Sequence, residues 1–395
     1  MYTISYIFLA SHLSKLNYFA TDLSTMCVNP ACQSLQTAKP RLKLSKLMGI
    51  LAEVIWLFFA ILLFEEEKEN LRKRGRGFHF SGPSDDIWNR FYNPESYDIF
   101  VNTSRTVTEN KKVFVDYVLF KDFSPDGVIR INEATSETKV LVSTSSFFNC
   151  SSASHGGSIY LSTEEVSCVQ YKVCSYESKS SLAGSHSYYN NYAGNAHKYN
   201  NFVIESTFTQ NTGDNAVLFS MDGSILFSSI NISDSKLERN AAYSISPYLF
   251  STTNFSNFDN ISSNKRCCFF IDFEVGNFDF CNVIDNNVLA DDISFGIFIL
   301  FYSLLSVKQS FFKGNNASNL FYFEDNVFHL PWGPSAAATV KECHFESNTF
   351  PTNEEYIQDS KSMTKLILSN LYSPFLCELP ERLETTLHIK ELNTY

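Results

Sequence analysis

The chain has 395 residues, a formal net charge of -11 and an aromatic share of 15%, with 37 Phe and 20 Tyr against only 11 Pro. A carboxylate surplus of this size leaves no electrostatic footprint for phosphate backbones, which excludes nucleic acid as a partner. Aromatic side chains favour strands and scarce proline permits long backbone ladders, so the composition points to an all-β chain.

Residues 1–47 form an off-pattern N-terminal extension of scattered apolar and basic side chains, in which Cys27 and Cys32 are too isolated a pair to read as a metal or redox motif. The apolar segment 48–64 follows, and its charge-free part, Val54 to Phe64, has 11 residues, fewer than the roughly 20 that a membrane span needs. Three readings stand: a signal-peptide core, a short signal anchor held by Lys39, Arg41, Lys43 and Lys46, or a buried strand or helix. The first two place the rest of the chain outside the cell, with membrane attachment through 48–64 in the second. Residues 65–96 run from Glu65-Glu66-Glu67 through Arg72-Lys73-Arg74 to Ser81-Gly82-Pro83 and read as a charged, solvated linker.

From about Tyr97 the strand signals become continuous and define a solenoid over 97–370. Val113 to Phe120 and Val128 to Ile131 are apolar runs with Ser124-Pro125-Asp126-Gly127 as the turn between them. Val140 to Val142 leads into Phe147-Phe148-Asn149-Cys150-Ser151-Ser152 and then Gly156-Gly157-Ser158-Ile159-Tyr160, where paired glycines suit a tight corner.

These two motifs resemble the F-x-N and G-G-A-I repeats of the chlamydial polymorphic outer-membrane proteins, and still more the expanded β-helix surface proteins of some single-celled eukaryotic parasites. The resemblance covers about residues 97–350, with Ser158 standing where alanine is usual and one clear double-glycine copy. It implies a right-handed, pectin-lyase-like parallel β-helix, placement at the cell surface or secretion, and an adhesive role.

Residues 161–200 are the least regular. Cys168 and Cys174 are the best-spaced candidate disulfide among the eight cysteines after the apolar segment, whereas adjacent Cys267 and Cys268 are poorly placed to bridge each other. His186 and His197 lie nearby, but with no C-x2-C pair or matching His pair the segment reads as an exposed loop and holds no metal or cofactor.

Farther on, one skeleton recurs: apolar-x-x-Ser/Cys-x-apolar-x-x-Asn. It runs through Val203, Ser206, Phe208 and Asn211; Ile232, Ser235, Leu237 and Asn240; Phe278, Cys281, Val283 and Asn286; Val307, Ser310, Phe312 and Asn315; and Val340, Cys343, Phe345 and Asn348. A blurred copy carries Ser256, Asp259, Ile261 and Asn264, which sets the asparagines 29, 24, 22, 29 and 33 residues apart. A period in this range means stacked units that bury their apolar faces against their neighbours. Short apolar bursts broken by Asn, Ser, Asp and Gly fit strands rather than amphipathic helices. The Ser/Cys and second apolar slots lie two apart and share a face, while the first apolar slot lies three before the Ser/Cys slot; a one-residue corner between two strands restores the parity.

The expected fold is therefore one elongated parallel β-helix of eight or nine coils. Asn211, Asn240, Asn286, Asn315 and Asn348 form an amide ladder at one corner, and Phe208, Phe312 and Phe345 an inward aromatic column. Cys281 and Cys343, with a coil between them, are roughly 10 Å apart and beyond disulfide reach. Ile293 to Val307, 15 uncharged residues, reads as two successive buried strands. Leu366 to Leu368 and Leu371-Tyr372 suggest a further strand pair, and 371–395 a C-terminal cap or tail.

Enzymes on such a fold need converging carboxylates. Asp291-Asp292, with Asp272 and Glu274 stacked nearby, is the strongest carboxylate group, but adjacent strand residues point to opposite faces. Sequons at Asn102, Asn149, Asn231, Asn254, Asn260 and Asn316 mark glycosylation sites in a secreted chain. The function expected is a cell-surface or secreted, non-catalytic adhesion or binding module whose partner is a host or matrix protein or a glycan; the alternative is a polysaccharide lyase or hydrolase.

Overall fold

The computed structural model describes residues 84–93, 95–162, 166–190, 199–221, 223–247, 250–272, 275–289, 295–324, 336–350, 357–358 and 366. The chain divides into two compact units, Met1–Ser81 and Gly82–Tyr395, and the described residues belong to the second. The expectations for 1–47, 48–64 and 371–395 lie outside the described residues.

Every paired strand runs parallel to its neighbour, and the strands sort into four sheets. Among the described residues sheet I has eleven strands from Ile99–Val101 to Ile357–Gln358, sheet II nine from Leu119–Lys121 to His344–Glu346, sheet III six from Ser151–Ser152 to Asn287–Val288, and sheet IV eight from Ile129–Ile131 to Asn319–Phe323. The chain visits them in the order I, II, III, IV and returns to I one rung higher, about 4.8 Å along the axis. This is a parallel β-helix. Among the described residues six turns contain all four strands, from the turn starting at Lys139–Ser143 to the one starting at Val275–Asp279, with partial turns at both ends. Six complete turns are fewer than the eight or nine coils expected, because the turns at both ends lack a strand in at least one sheet among the described residues.

The corners explain the sequence rhythm. Between sheets I and II a single residue with positive φ turns the chain in nine successive turns: Tyr117, Thr144, Lys172, Glu205, Ser229, Phe255, Phe280, Gln309 and Glu342. Between sheets II and III the same device recurs at Asp122, Asn149, Glu177, Gln210, Asp234, Asn260, Asp285, Gly314 and Ser347. A non-glycine residue in that region costs on the order of 1 kcal/mol. The cost is offset because the ladder continues through the corner: the Glu205 N–H donates to the Ser228 carbonyl at 2.9 Å and the Asp285 N–H to the Lys313 carbonyl at 2.8 Å.

The slot after the first corner carries the Ser or Cys of the repeat. Ser206 Oγ donates to the Ile204 carbonyl at 2.9 Å and accepts the Val173 N–H at 3.0 Å, and Ser145, Ser256 and Ser310 bridge in the same way. Cys281 and Cys343 replace serine there with longer contacts to the Asp279 and Lys341 carbonyls, at 3.3 and 3.4 Å, and both are free thiols.

The lumen is apolar over most of its length. The inward residues of sheet II run Phe120, Phe147, Ser175, Phe208, Ile232, Phe258, Val283, Phe312 and Phe345. Phe312 and Phe345 stack at 5.2 Å, as expected for the aromatic column. Where Ser175 leaves space, His186 fills it, 5.3 Å from the Phe147 ring and 4.8 Å from Phe208.

Residues 84–92 depart from the expected linker: Ser84–Tyr92 is a helix, α1. Trp88 and Tyr92, four residues apart, share a face and bury against the outward side chains Phe114, Leu141, Val169, Tyr171, Phe202 and Ile204 of sheet I. The Trp88 indole donates to the Glu95 carbonyl at 2.7 Å, and the Tyr92 hydroxyl to the Val140 carbonyl at 3.0 Å. Apolar side chains on both faces of these strands need such a cover. Ile293 to Val307 does give two strands, Gly296–Phe301 and Leu304–Lys308, and among the described residues no helix is long and apolar enough to cross a membrane.

Candidate functional surface

The corner between sheets II and III has two sides, and each carries a row of side chains. On the inner side, Asn286, Asn315 and Asn348 stack in successive turns. Asn315 Nδ2 donates to Asn348 Oδ1 and to the Val283 carbonyl, both at 2.8 Å, while its Oδ1 accepts the Asn286 N–H at 3.1 Å and Asn286 Nδ2 at 3.0 Å. In the preceding turn Ile261 holds the position, and its N–H donates to Asn286 Oδ1 at 2.9 Å. Asn211 lies at the same corner three turns from Asn286, between Ser178, whose N–H it accepts at 3.0 Å, and Ser235, whose Oγ accepts the Asn211 N–H at 3.2 Å.

Asn240 is a correction. It opens the sheet IV strand Asn240–Ser246, pairs with Cys267 and accepts the Cys267 thiol at 3.2 Å. The two corners share one local pattern, a left-handed residue followed by a small buried one, five residues apart. Ile232, Ser235, Leu237 and Asn240 match the skeleton one corner late; Ile230 occupies the Ser/Cys slot of that turn, and Ser235 the asparagine position.

On the outer side, seven left-handed residues in consecutive turns point into solvent: Asp122, Asn149, Glu177, Gln210, Asp234, Asn260 and Asp285. Carboxylates and amides alternate along this edge. Carboxylates about 4.8 Å apart would repel, whereas an intervening amide separates and binds them. Asn149 Nδ2 donates to Asp122 Oδ1 at 2.7 Å and Asn260 Nδ2 to Asp234 Oδ1 at 2.6 Å. Alternation sets the carboxylates about 10 Å apart in a straight line. Beside them the outward row of sheet III, Ser151, Lys179, Thr212, Lys236, Ser262, Asn287 and Asn316, continues the polar surface. The alternation was not visible from the repeat, because the left-handed positions fall between its fixed slots.

The outer face of sheet IV presents another row, with Tyr160 and Tyr188 stacked at 5.4 Å, Tyr188 and Phe219 at 4.8 Å, and Arg130 4.3 Å over Tyr160. These rings occupy one another's faces, so the row works as packing and leaves little ring face for a ligand.

The proposed disulfide is the second correction. Cys168 is a free thiol inside the lumen, 3.3 Å from the Tyr189 hydroxyl, whereas Cys174 is disulfide-bonded to a different cysteine. Cys174 precedes the inward Ser175 and therefore faces outward, so the wall of the helix separates the two sulfurs. Burial pushes the free thiols up, to about 12 at Cys150, Cys168, Cys268 and Cys343.

Of the sequons, Asn102, Asn149, Asn260 and Asn316 are exposed and Asn254 is half-buried. Asn231 is 2% exposed, faces the covered side of sheet II and has its amide nitrogen enclosed, which leaves no room for a glycan in the folded chain. Asp291, Asp292 and Glu274 lie outside the described residues, as does His197. Among the described residues no group of three or more His, Cys, Asp and Glu could hold a metal ion.

Two buried titratable groups make stability depend on pH in opposite senses. Burial lowers His186 to about 3; its Nε2 contacts Gln170 Oε1 at 2.8 Å. Below 6.5 the unfolded chain takes up the imidazole proton first, so stability is full above 6.5 and is lost between 6.5 and 3. Burial raises Asp279 to about 6, against the pull of Lys308 in the next rung, so the folded chain holds the extra proton between 3.8 and 6 and loses stability as pH rises through that window. Each slope is about 1.4 kcal/mol per pH unit, and between pH 4 and 6 they cancel. Asp279→Asn is expected to expose the His186 slope: urea unfolding of the variant should show stability falling with acidification from pH 6 to 4 by about 1.4 kcal/mol per unit more than the parent. A parallel pair of curves would contradict the raised pKa of Asp279, whose slope is the one that the substitution removes.

No protein-family model matches the sequence, and no curated protein or solved structure matches it either.

Proposed function

We propose that the chain is a non-catalytic binding or adhesion module, displayed at or released from a cell surface, and that it binds through the edge between sheets II and III. The observation that carries this reading is the run of seven exposed acid and amide side chains at constant pitch. Such a row offers hydrogen-bond acceptors and negative charge at a fixed repeat. It suits an extended ligand with donors or cations spaced about 10 Å apart, on a glycan or an unfolded stretch of a matrix protein. The disulfide at Cys174 supports an oxidising compartment, and the exposed sequons are consistent with it. The F-x-N and G-G-S-I motifs support kinship with polymorphic outer-membrane and pectin-lyase-like proteins.

The test is a binding screen of the full chain against extracellular glycans and matrix proteins, with a Glu177→Gln, Asp234→Asn double variant beside it. Binding that weakens with salt and falls at least about tenfold in the variant is expected, since exposed charges are screened over roughly 10 Å. Binding indifferent to both changes would remove this edge from the account, and cleavage of any polysaccharide would favour the lyase or hydrolase reading.

A further inference from the structure

The outer face of sheet II is covered, and two residues on it show by what. Its first outward column runs Ser146, Cys174, Thr207, Asn231, Asn257, Asn282 and Phe311 up the helix. Side chains on the outside of a single-walled coil should meet water, yet Cys174 is 1% exposed, Thr207 0%, Asn231 2%, Asn282 1% and Phe311 3%. At Asn282 the covering chain is identified: Nδ2 donates to the Leu366 carbonyl and Oδ1 accepts the Leu366 N–H, both at 3.1 Å. A side-chain amide that satisfies both backbone groups of one residue holds an extended segment as a neighbouring strand would.

Cys174 gives a second anchor in the same column. It is disulfide-bonded, while Cys150, Cys168, Cys267, Cys268, Cys281 and Cys343 are free. Of the ten cysteines this leaves Cys27, Cys32 and Cys377 as partners. Cys377 lies eleven residues beyond Leu366. Cys174 lies four rungs from Asn282, about 19 Å, and eleven extended residues reach up to about 36 Å, so the chain leaving Leu366 can arrive at Cys174.

We infer that Cys174 and Cys377 form a disulfide that, together with the Asn282 amide, straps the C-terminal segment along the outer face of sheet II. Its formation joins the two sulfurs and removes two electrons and two protons. A disulfide-bearing oxidoreductase takes them up by thiol–disulfide exchange and leaves as the dithiol.

The test uses the unmodified full chain, its free thiols alkylated in denaturant without reductant and then digested with trypsin. Mass spectrometry is expected to find the peptide Val173–Lys179 joined to Leu366–Arg382, the pair separating on reduction. Cys174 recovered as an alkylated thiol, or joined to the peptide bearing Cys27 and Cys32, would overturn the assignment. In Asn282→Ala the Leu366 amide is expected to exchange with deuterium roughly tenfold faster. An unchanged rate would overturn the strap.

Discussion

Replacing Gly157 by alanine is expected to destabilise the fold by about 3 kcal/mol or more and to lower its melting temperature by roughly 5–10 °C. The φ of Gly157 is not at issue. A Cβ there would stand 2.0 Å from the Ser185 carbonyl oxygen and 2.6 Å from the Lys179 carbonyl oxygen, and both are backbone atoms of the next turn. No rotamer relieves such a contact, so two rungs that touch through the Gly157 N–H, 3.0 Å from the Gly184 carbonyl, have to separate. Gly156 beside it is needed for a different reason, since it takes φ +66°. Ser158→Ala serves as the control: it removes a buried hydroxyl pair, Ser158 Oγ to Ser178 Oγ at 2.7 Å, and should cost only about 1 kcal/mol. Thermal unfolding of the two variants side by side separates backbone contact from loss of a hydrogen bond; equal shifts would mean that the corner has slack.

Asn315→Ala is expected to cost about 3–5 kcal/mol, against about 1 kcal/mol for Asn240→Ala. Asn315 makes four interior hydrogen bonds through its side chain and is 0% exposed, so truncation strands a backbone N–H, a carbonyl and the amides of both neighbours away from water. Asn240 is as well buried but accepts one weak thiol donor. Denaturant unfolding measures both. A double-mutant cycle between Asn286 and Asn315 should return a coupling of about 1–2 kcal/mol, because each amide polarises and orients the next. Equal costs for Asn315 and Asn240 would mean that stacking at the corner adds nothing.

The sequence made the corner legible because parity is a strict constraint. Val203 and Ser206, three residues apart, both face inward only if one residue between them turns the chain, and Glu205 does so with φ 50°. The stacking of Asn286, Asn315 and Asn348 followed from the same spacing. Asn240 was misplaced because two corners use one pattern, and a skeleton without sheet assignments slides between them by five residues. Parity also undoes the Cys168–Cys174 pairing: six residues with a corner inside put the sulfurs on opposite sides of the wall. The helix α1 does leave a signal in the sequence. Val113-Phe114-Val115 and Val140-Leu141-Val142 are apolar on both faces, whereas Phe250–Asn254 and Val275–Asp279 carry Thr252 and Asn277 in the same outward column, so the first turns needed an outer cover that the later ones did not. The closest apolar stretch upstream, Ile87 to Tyr92, was masked by the charged residues around it.

Distances between paired spin labels test the stacked architecture most directly. With one label at Ser151 and the second at Ser262, Asn287 or Asn316, all outward in sheet III, the separations span four, five and six rungs. Backbone distances of about 19, 24 and 29 Å, rising by one rung spacing at each step, are predicted. Distances that fail to increase in that order, for positions 25 and 29 residues apart in sequence, would contradict a parallel β-helix in this register.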